Sequence, residues 1–410
     1  MKRLLFLLLL VSQIAFGQKV YTYGGKAVTY GGEAVRTSVY CAEYQAVYDA
    51  YTTKPSDAVA AIDNTMVSGL VSDGVWAKLD AVWVYAAHIN AAGEALLDWK
   101  QPAGGANQTP QGTFDSATGW TLGTGWSIAN GKATCDGTAG NNYLSEDPYT
   151  LVAGKTYMVT FTVTDYTSGT IRARCAGGES PARSSTGTFT AVILSDGVNF
   201  RMQGASFNGS IDDVSVVEWT NATAYNAPTF TAYEGFLGNG TTQYIDCNWN
   251  PSTNGVNYTL NSGAFGAYIR TNVIENGIDM GCGQLTRFLL LAARYSAILN
   301  KLLAKVNDNT LAQIANLDSK GMYINSRLNS AGIVAYKNKV GTANAGASTA
   351  IPNANLGVLC TIDEDGVVTD RSTKQLAMAF AGAGMTQTHV NNFTDPFEVA
   401  MDALGTGVIP

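Results

Sequence analysis

Short stretches of alternating side chains, each ended by a turn dipeptide, constrain this chain more than any other feature. Between Phe114 and Val217 they lie at 156–163, 170–175, 188–194 and 211–217. Thr-Gly, Asn-Gly, Ser-Gly and Asp-Gly pairs separate them, and such pairs favour tight turns between strands. We therefore predict an all-β unit in this part of the chain.

The composition extends this prediction to the whole chain. The 410 residues are enough for two or three domains and a sizeable core. They include 44 Gly and 20 Tyr, and only 14% of them are charged. Many short strands with glycine-rich turns have such a composition, so we predict a mainly β protein.

Helical spacing occurs only near the two ends. Tyrosines recur at positions 40, 44, 48 and 51, and a second apolar series at 59, 62, 66 and 70 follows the start signal Pro55-Ser56-Asp57. These patterns predict two amphipathic helices whose tyrosines pack in a core. We also predict a helix over Thr386–Leu404, with a break near Pro396.

The N-terminus has a leader and a repeat. Residues 1–17 join a basic start to a short apolar run and small residues, which is typical of a secretory leader cut before Gln18; a buried N-terminal segment is the alternative. Residues 18–38 contain Thr-Tyr-Gly-Gly-Lys/Glu-Ala-Val twice. We expect a β arm that pairs with sister copies or neighbouring subunits, or else a flexible spacer.

The net charge argues against a nucleic-acid partner, and the cysteine spacing argues against a zinc site. Without residues 1–17 the formal charge falls from −7 to −9, because Lys2 and Arg3 are lost, and a nucleic-acid partner would need clustered cations. The six cysteines form no CxxC pair and have too few nearby histidines for a zinc site. Cys135 and Cys175 could form a disulfide or remain free thiols.

No pattern of catalytic residues is present. The chain has two histidines, His88 and His389, and no GxSxG motif. The Glu-x-Asp-x-Glu pattern of sandwich-fold glucanases is also missing. The acidic run 363–365 precedes Gly366, as in a solvent-facing loop. We predict that the protein is not an enzyme; a glycoside hydrolase with an unrecognised site is an alternative.

Three stretches of the central segment carry a resemblance. FDSATGWTLGTGWSIANGKATCDG, LVAGKTYMVTFTVTDYTSGTIRARCAGG and FNGSIDDVSVVEW resemble the jelly-roll, carbohydrate-binding-like modules of secreted glycan enzymes and phage virion proteins. The resemblance implies a module over residues 103–221. It also implies a structural calcium ion at Asp212, within Ile211-Asp212-Asp213-Val214-Ser215, although a solvated strand end is the alternative.

Glycan binding would use aromatic side chains, because sugar rings stack on them while amides, carboxylates and arginines hold the hydroxyls. The candidates in this module are Trp120, Trp126, Tyr143 and Tyr166. We favour Trp126 and Tyr143, and we expect at least half of the four to be core residues.

The remaining sequence resembles a second family. APTFTAYEGFLGNGTTQYIDCNWNPSTNGVNYT, DSKGMYINSRLNSAGIVAYKNKV and STKQLAMAFAGAGMT resemble concanavalin A-like, laminin-G-type sandwiches in virion proteins of phages of Bacteroidetes. The resemblance implies a discontinuous domain of residues 39–102 and 222–410, with the jelly roll inserted. The leucine-rich segment 287–309 would then form two buried strands.

These resemblances imply a function. We expect a phage virion structural protein of the fibre, turret or decoration type, homo-oligomeric, that binds host surface polysaccharide and requires no cofactor beyond the calcium ion. A secreted or surface-displayed bacterial glycan-binding protein is the chief alternative, and the leader favours it.

Overall fold

The computed structural model describes residues 40–109, 111–138, 140–148 and 151–410, together with the backbone of 21–23 and 26–28. Strands far outnumber helices among these residues, so the prediction of a mainly β protein is confirmed. The leader predicted at 1–17 lies outside the described residues.

The chain divides into two compact units, Met1–Cys41 and Ala42–Pro410. In the first unit, strands β1 (Tyr21–Tyr23) and β2 (Lys26–Val28) form an antiparallel hairpin in which Tyr21 lies opposite Val28. The two strands stand on either side of the glycine pair of the first repeat copy, residues 22–28, and such pairs favour hairpin turns. The remainder of the β arm predicted over 18–38 lies outside the described residues, and the arm's pairing with other chains stays a prediction.

The second unit begins with the two predicted helices, α1 (Ala42–Ala50) and α2 (Asp57–Ser72). The hydroxyl of Ser56 accepts a hydrogen bond from the backbone N–H of Val59, so the predicted start signal caps α2. Two short 3₁₀ segments, Trp76–Lys78 and Glu94–Leu96, flank β3 (Leu79–Val84).

Eight strands of the segment 120–218 form one antiparallel sheet, which we call the central sheet. They are β4 (Trp120–Leu122), β5 (Trp126–Ala129), β6 (Lys132–Asp136), β7 (Asn141–Glu146), β8 (Thr156–Cys175), β9 (Gly178–Glu179), β10 (Gly187–Leu194) and β11 (Phe200–Glu218). The long strands β8 and β11 pair along their whole length. One half of this pair is flanked by β10 and β6, and the other half by β9 and β7.

Strand β8 corrects one sequence prediction. We expected Ser168-Gly169 to end a strand at a turn, but β8 is continuous across it. Gly169 has a φ of +76°, and a Cβ at this position would lie 2.1 Å from the backbone oxygen of Ser206 on β11. The glycine therefore permits a close approach of two backbones within the sheet rather than a turn.

Two further sheets contain the strands from residue 223 onward. These are β12 (Thr223–Tyr225), β13 (Thr229–Thr231), β14 (Gly235–Leu237), β15 (Tyr244–Asp246), β16 (Gly263–Ile269), β17 (Met280–Gln284), β18 (Arg287–Tyr295), β19 (Lys301–Asp308), β20 (Ala312–Ala315), β21 (Gly321–Arg327), β22 (Gly332–Lys337), β23 (Val340–Ala345), β24 (Gly357–Val358), β25 (Thr361–Ile362), β26 (Val368–Thr369) and β27 (Gln375–Gly382).

The first outer sheet has the strand order β12-β15-β24-β17-β18-β19-β20, with β25 and β26 added beside β17. The second has the order β13-β14-β27-β16-β21-β22-β23, and β3 also pairs with β27. Fully buried side chains of both sheets, such as Met280 and Leu291 from the first and Phe265 and Tyr323 from the second, share one hydrophobic core. Two sheets packed face to face in this way are typical of the β-sandwich class.

The leucine-rich segment 287–309 forms β18 and β19, so the prediction of two strands is confirmed. The predicted C-terminal helix is also confirmed as α3 (Gln387–Ala403), but it does not break at Pro396. The side chains of Phe393 and Phe397, one on each side of the proline, pack on Phe380 and Tyr268 of the second outer sheet. We infer that this packing offsets the ~3 kcal/mol cost of a proline inside a helix.

None of the six cysteines forms a disulfide, so Cys135 and Cys175 are not bridged. Both lie in the core of the central sheet. Burial raises the pKa of Cys175 to about 12, so this thiol stays protonated at neutral pH.

Candidate ligand-binding face

The four aromatic side chains that the sequence proposes for glycan binding lie in different environments. Trp120 is 8% exposed, and its indole N–H donates to the backbone oxygen of Gln111 at 3.1 Å. Trp126 is 6% exposed and stacks on Phe207. Neither tryptophan presents an open ring face, so in this conformation sugar stacking on Trp126, the favoured candidate, has no surface to use.

Tyr166 and Tyr143 are half-buried. The Tyr166 hydroxyl donates to the backbone oxygen of Gly169 at 3.2 Å, and its ring lies 6.4 Å from that of Phe207. Tyr143 is different, because its strand β7 alternates and places Leu144 in the core and the tyrosine on the outer side. Tyr143 is therefore the candidate around which a surface site can be built.

Three neighbouring strands place polar side chains beside Tyr143. In the sheet register Gln203 lies opposite both Tyr143 and Arg172, and Arg201 lies opposite Arg174. We call this surface the arginine face; it comprises Asn141, Tyr143, Arg172, Arg174, Glu179, Arg201 and Gln203.

The sequence alternation explains why these side chains point outward. In β8 the residues between and beside the arginines, Ile171, Ala173 and Cys175, are fully buried. Successive strand residues point to opposite faces of a sheet, so Arg172 and Arg174 must share the outer one. Their side chains are 30% and 23% exposed.

Hydrogen bonds fix the side chains of the arginine face. The guanidinium of Arg174 donates to the side-chain oxygen of Gln203 at 3.1 Å, and the amide of Gln203 donates to that of Asn141 at 3.3 Å. The guanidinium carbon of Arg201 lies 4.6 Å from the ring centroid of Tyr143, in a cation–π contact. This network orders the face without a ligand.

The charges of this face are unbalanced. Glu179 forms an ion pair with Arg172, and its other carboxylate oxygen lies 3.7 Å from Arg174. Arg201 has no carboxylate partner among the described residues. The face therefore has three guanidinium groups and one carboxylate, in a chain whose formal net charge is −7.

Asp212 lies further along β11, beyond several register shifts. Its carboxylate accepts a hydrogen bond from the backbone N–H of Asp213 at 2.7 Å. No group of three or more His, Cys, Asp or Glu side chains that could hold a metal ion occurs in the described parts of the chain. Calcium ligands can also be backbone and amide oxygens, so calcium at Asp212 stays a prediction.

A small cleft lies beside Trp120 at the end of the central sheet. It encloses about 300 Å³ and is lined by Gln108, Gln111, Glu146 and Asp147 among others. No motif in the sequence points to the carboxyl groups of Glu146 and Asp147, which are adjacent in the chain where β7 ends.

The two histidines have structural partners. The His88 ring shares a hydrogen bond of 2.8 Å with the backbone oxygen of Thr53 and packs edge-on against Tyr51. His389 takes part in the capping box of α3 with Thr386. Burial and nearby Lys78 lower the pKa of His389, so it is neutral at pH 7.

Among the described residues, no helix has the length and apolar character needed to cross a membrane. Comparison with protein-family models and with curated proteins finds no match for this chain. The chemistry of the arginine face is therefore the basis on which a function can be inferred.

Proposed function

We propose that this chain is a non-enzymatic adhesion protein, a virion subunit of a phage of Bacteroidetes that binds host surface glycan through the arginine face. One observation carries the glycan-binding part: an outward surface that combines a tyrosine, two amides and several guanidinium groups in a fixed hydrogen-bonded arrangement. Protein sites for sugars use such convergent polar groups beside an aromatic ring.

The domain arrangement is part of this proposal. Residues 39–102 and 222–410 would form one concanavalin A-like sandwich, into which residues 103–221 are inserted as a jelly roll. The pairing of β3 with β27 supports it, because β3 precedes the central sheet in the chain. The chain segments that lead into and out of the central sheet are also hydrogen-bonded to each other, which supports the arrangement. The Thr220 hydroxyl donates to Asp98 at 2.7 Å, and the Asp98 N–H donates to Asn221 at 2.6 Å.

A glycan array with the full chain tests the binding. We expect binding to at least one bacterial surface polysaccharide, and we expect Tyr143→Ala to weaken it. Tyr225→Ala is the matched control, because Tyr225 is an exposed tyrosine of β12, outside the central sheet. An array without any bound glycan, or equal loss in both variants, would contradict a binding site at the arginine face.

The virion assignment needs a separate test. Mass spectrometry of phage particles from the host that carries the gene should detect the chain. If the particles lack it and the mature secreted fraction contains it, starting at Gln18, the bacterial glycan-binding protein is the correct assignment. The basic and apolar segment before Gln18 favours that second candidate.

A further inference from the structure

We propose that the arginine face selects acidic polysaccharides and binds their carboxylate groups. This inference rests on the proposed glycan binding and adds the chemical class of the ligand. It starts from the charge count of the face, which has three guanidinium groups and one carboxylate: Arg172 and Arg174 share that of Glu179, and Arg201 pairs with none among the described residues. Because the rest of the chain is acidic, this is a local positive field on a negatively charged molecule.

The register makes the excess charge costly without a ligand. Arg174 and Arg201 lie directly opposite each other on neighbouring strands. Like charges at such positions destabilise a sheet, and their Cα atoms are typically about 5 Å apart. An anion placed between the two guanidinium groups relieves this repulsion, so binding and stability are linked.

The same register indicates how the anionic groups of the ligand are spaced. Arg172 and Arg174 are two residues apart on β8, which corresponds to roughly 6.6 Å along the strand. Arg201 lies opposite Arg174 on the neighbouring strand, so the three cations are spread over the surface of the sheet and are not gathered at one point. Such spacing suits a chain with repeated anionic groups better than one small anion.

The chemistry of the cations favours carboxylate. A guanidinium group presents planar pairs of N–H donors that match the two oxygens of a carboxylate. The guanidinium group of Arg201 lies over the ring of Tyr143, and the amides of Gln203 and Asn141 are hydrogen-bonded to each other on the same face, where they can bind sugar hydroxyls. The guanidinium groups can therefore bind the carboxylate of a sugar acid, and the amides can bind its hydroxyls.

The test compares binding of the full chain to immobilised polyuronate, to neutral dextran and to single-stranded DNA. We expect the polyuronate to bind most tightly and its affinity to fall with added salt. Arg201→Gln should weaken polyuronate binding by about tenfold or more, because one charge-assisted hydrogen bond is lost. Thermal unfolding of each variant confirms that it is folded.

Arg183→Gln is the matched control. Arg183 carries the same charge, but it lies over the ring of Phe189 and opposite the core residue Ile171, outside the arginine face. We expect this variant to bind polyuronate like the parent. Equal loss in both variants would overturn the proposal, as it would show a general charge effect.

Two results separate this inference from the proposed function. If neutral dextran or another neutral glycan binds as tightly as polyuronate and Arg201→Gln has no effect, glycan binding stands and acid selectivity is wrong. If DNA binds as tightly as polyuronate, the face is an unselective anion site and the carboxylate proposal is also wrong. If no polysaccharide binds, the proposed function fails as well.

Discussion

Removing one buried cation should destabilise the pairing of the two outer sheets. Arg327 ends β21 in the second outer sheet, and its fully buried guanidinium forms an ion pair with Asp308 at the end of β19 in the first. The same group donates to the backbone oxygens of Val306 at 2.7 Å, Gly346 at 2.9 Å and Asn329 at 3.2 Å. It therefore joins the two sheets across their shared core.

The substitution Arg327→Met fills similar space but leaves a buried carboxylate and three carbonyl groups without their donor. Breaking a buried ion pair from one side costs about 3–5 kcal/mol. Since a folded domain is stable by about 5–15 kcal/mol, this is a large fraction of the total. We expect the free energy of unfolding to fall by roughly 4 kcal/mol.

Urea unfolding followed by tryptophan fluorescence measures this loss. Arg327→Lys keeps a charge but loses the planar donor pairs, so its stability should lie between those of the parent and the methionine variant. Lys132→Met is the control, because Lys132 pairs with Asp165 at 3.0 Å on the exposed surface, where such pairs contribute little. A methionine variant at position 327 that unfolds like the Lys132 variant would refute the reasoning.

Three further predictions concern stability and thiol chemistry. Burial opposes the charge of Glu275. Fully buried Lys374, 2.9 Å away, together with hydrogen bonds from Ser372 and Thr373, outweighs this effect and lowers the pKa of Glu275. The contribution of Glu275 is thus present above pH ~4.3 and lost on acidification, and Glu275→Gln should flatten the acid limb of unfolding free energy against pH. Gly169→Ala should destabilise more than Gly366→Ala in thermal unfolding, since both have positive φ but only Gly169 meets a neighbouring backbone. A thiol reagent should label Cys41, the half-buried cysteine, in the native protein and all six cysteines in denaturant.

Elements with a strong local signal were predictable from sequence. The start signal and apolar spacing predicted α2 to within about two residues, because helix periodicity and capping are local properties. The helix predicted over Thr386–Leu404 matches α3 to within one residue at each end. The two strands of 287–309 needed the resemblance, since a short leucine-rich run fits a buried strand as well as a helix.

The arginine face could be predicted only in part from the sequence. The alternation Ile171-Arg172-Ala173-Arg174-Cys175 was visible and predicts an outward pair of arginines. The side chains that lie beside these arginines on β7 and β11 could not be predicted. The three strands are far apart in sequence, and only the strand register brings them together. Tyr143 was proposed without Arg201, and both tryptophans were proposed although small sandwich cores use such rings for packing.

The attachment of the central sheet to the outer sheets fits the proposed adhesion. The carboxylate of Glu218 on β11 accepts a hydrogen bond from the amide of Asn254 at 2.6 Å, and the Thr253 hydroxyl donates to the backbone oxygen of Gly154 at 3.2 Å. A pull on a ligand bound at the arginine face would load these contacts together with both chain connections. Contacts that share a load resist it better than one flexible linker, because several must break at once. A glycan bound at the arginine face, as proposed, would then hold the whole second unit to a surface. A module on a flexible linker would pass less of the load to the rest of the unit.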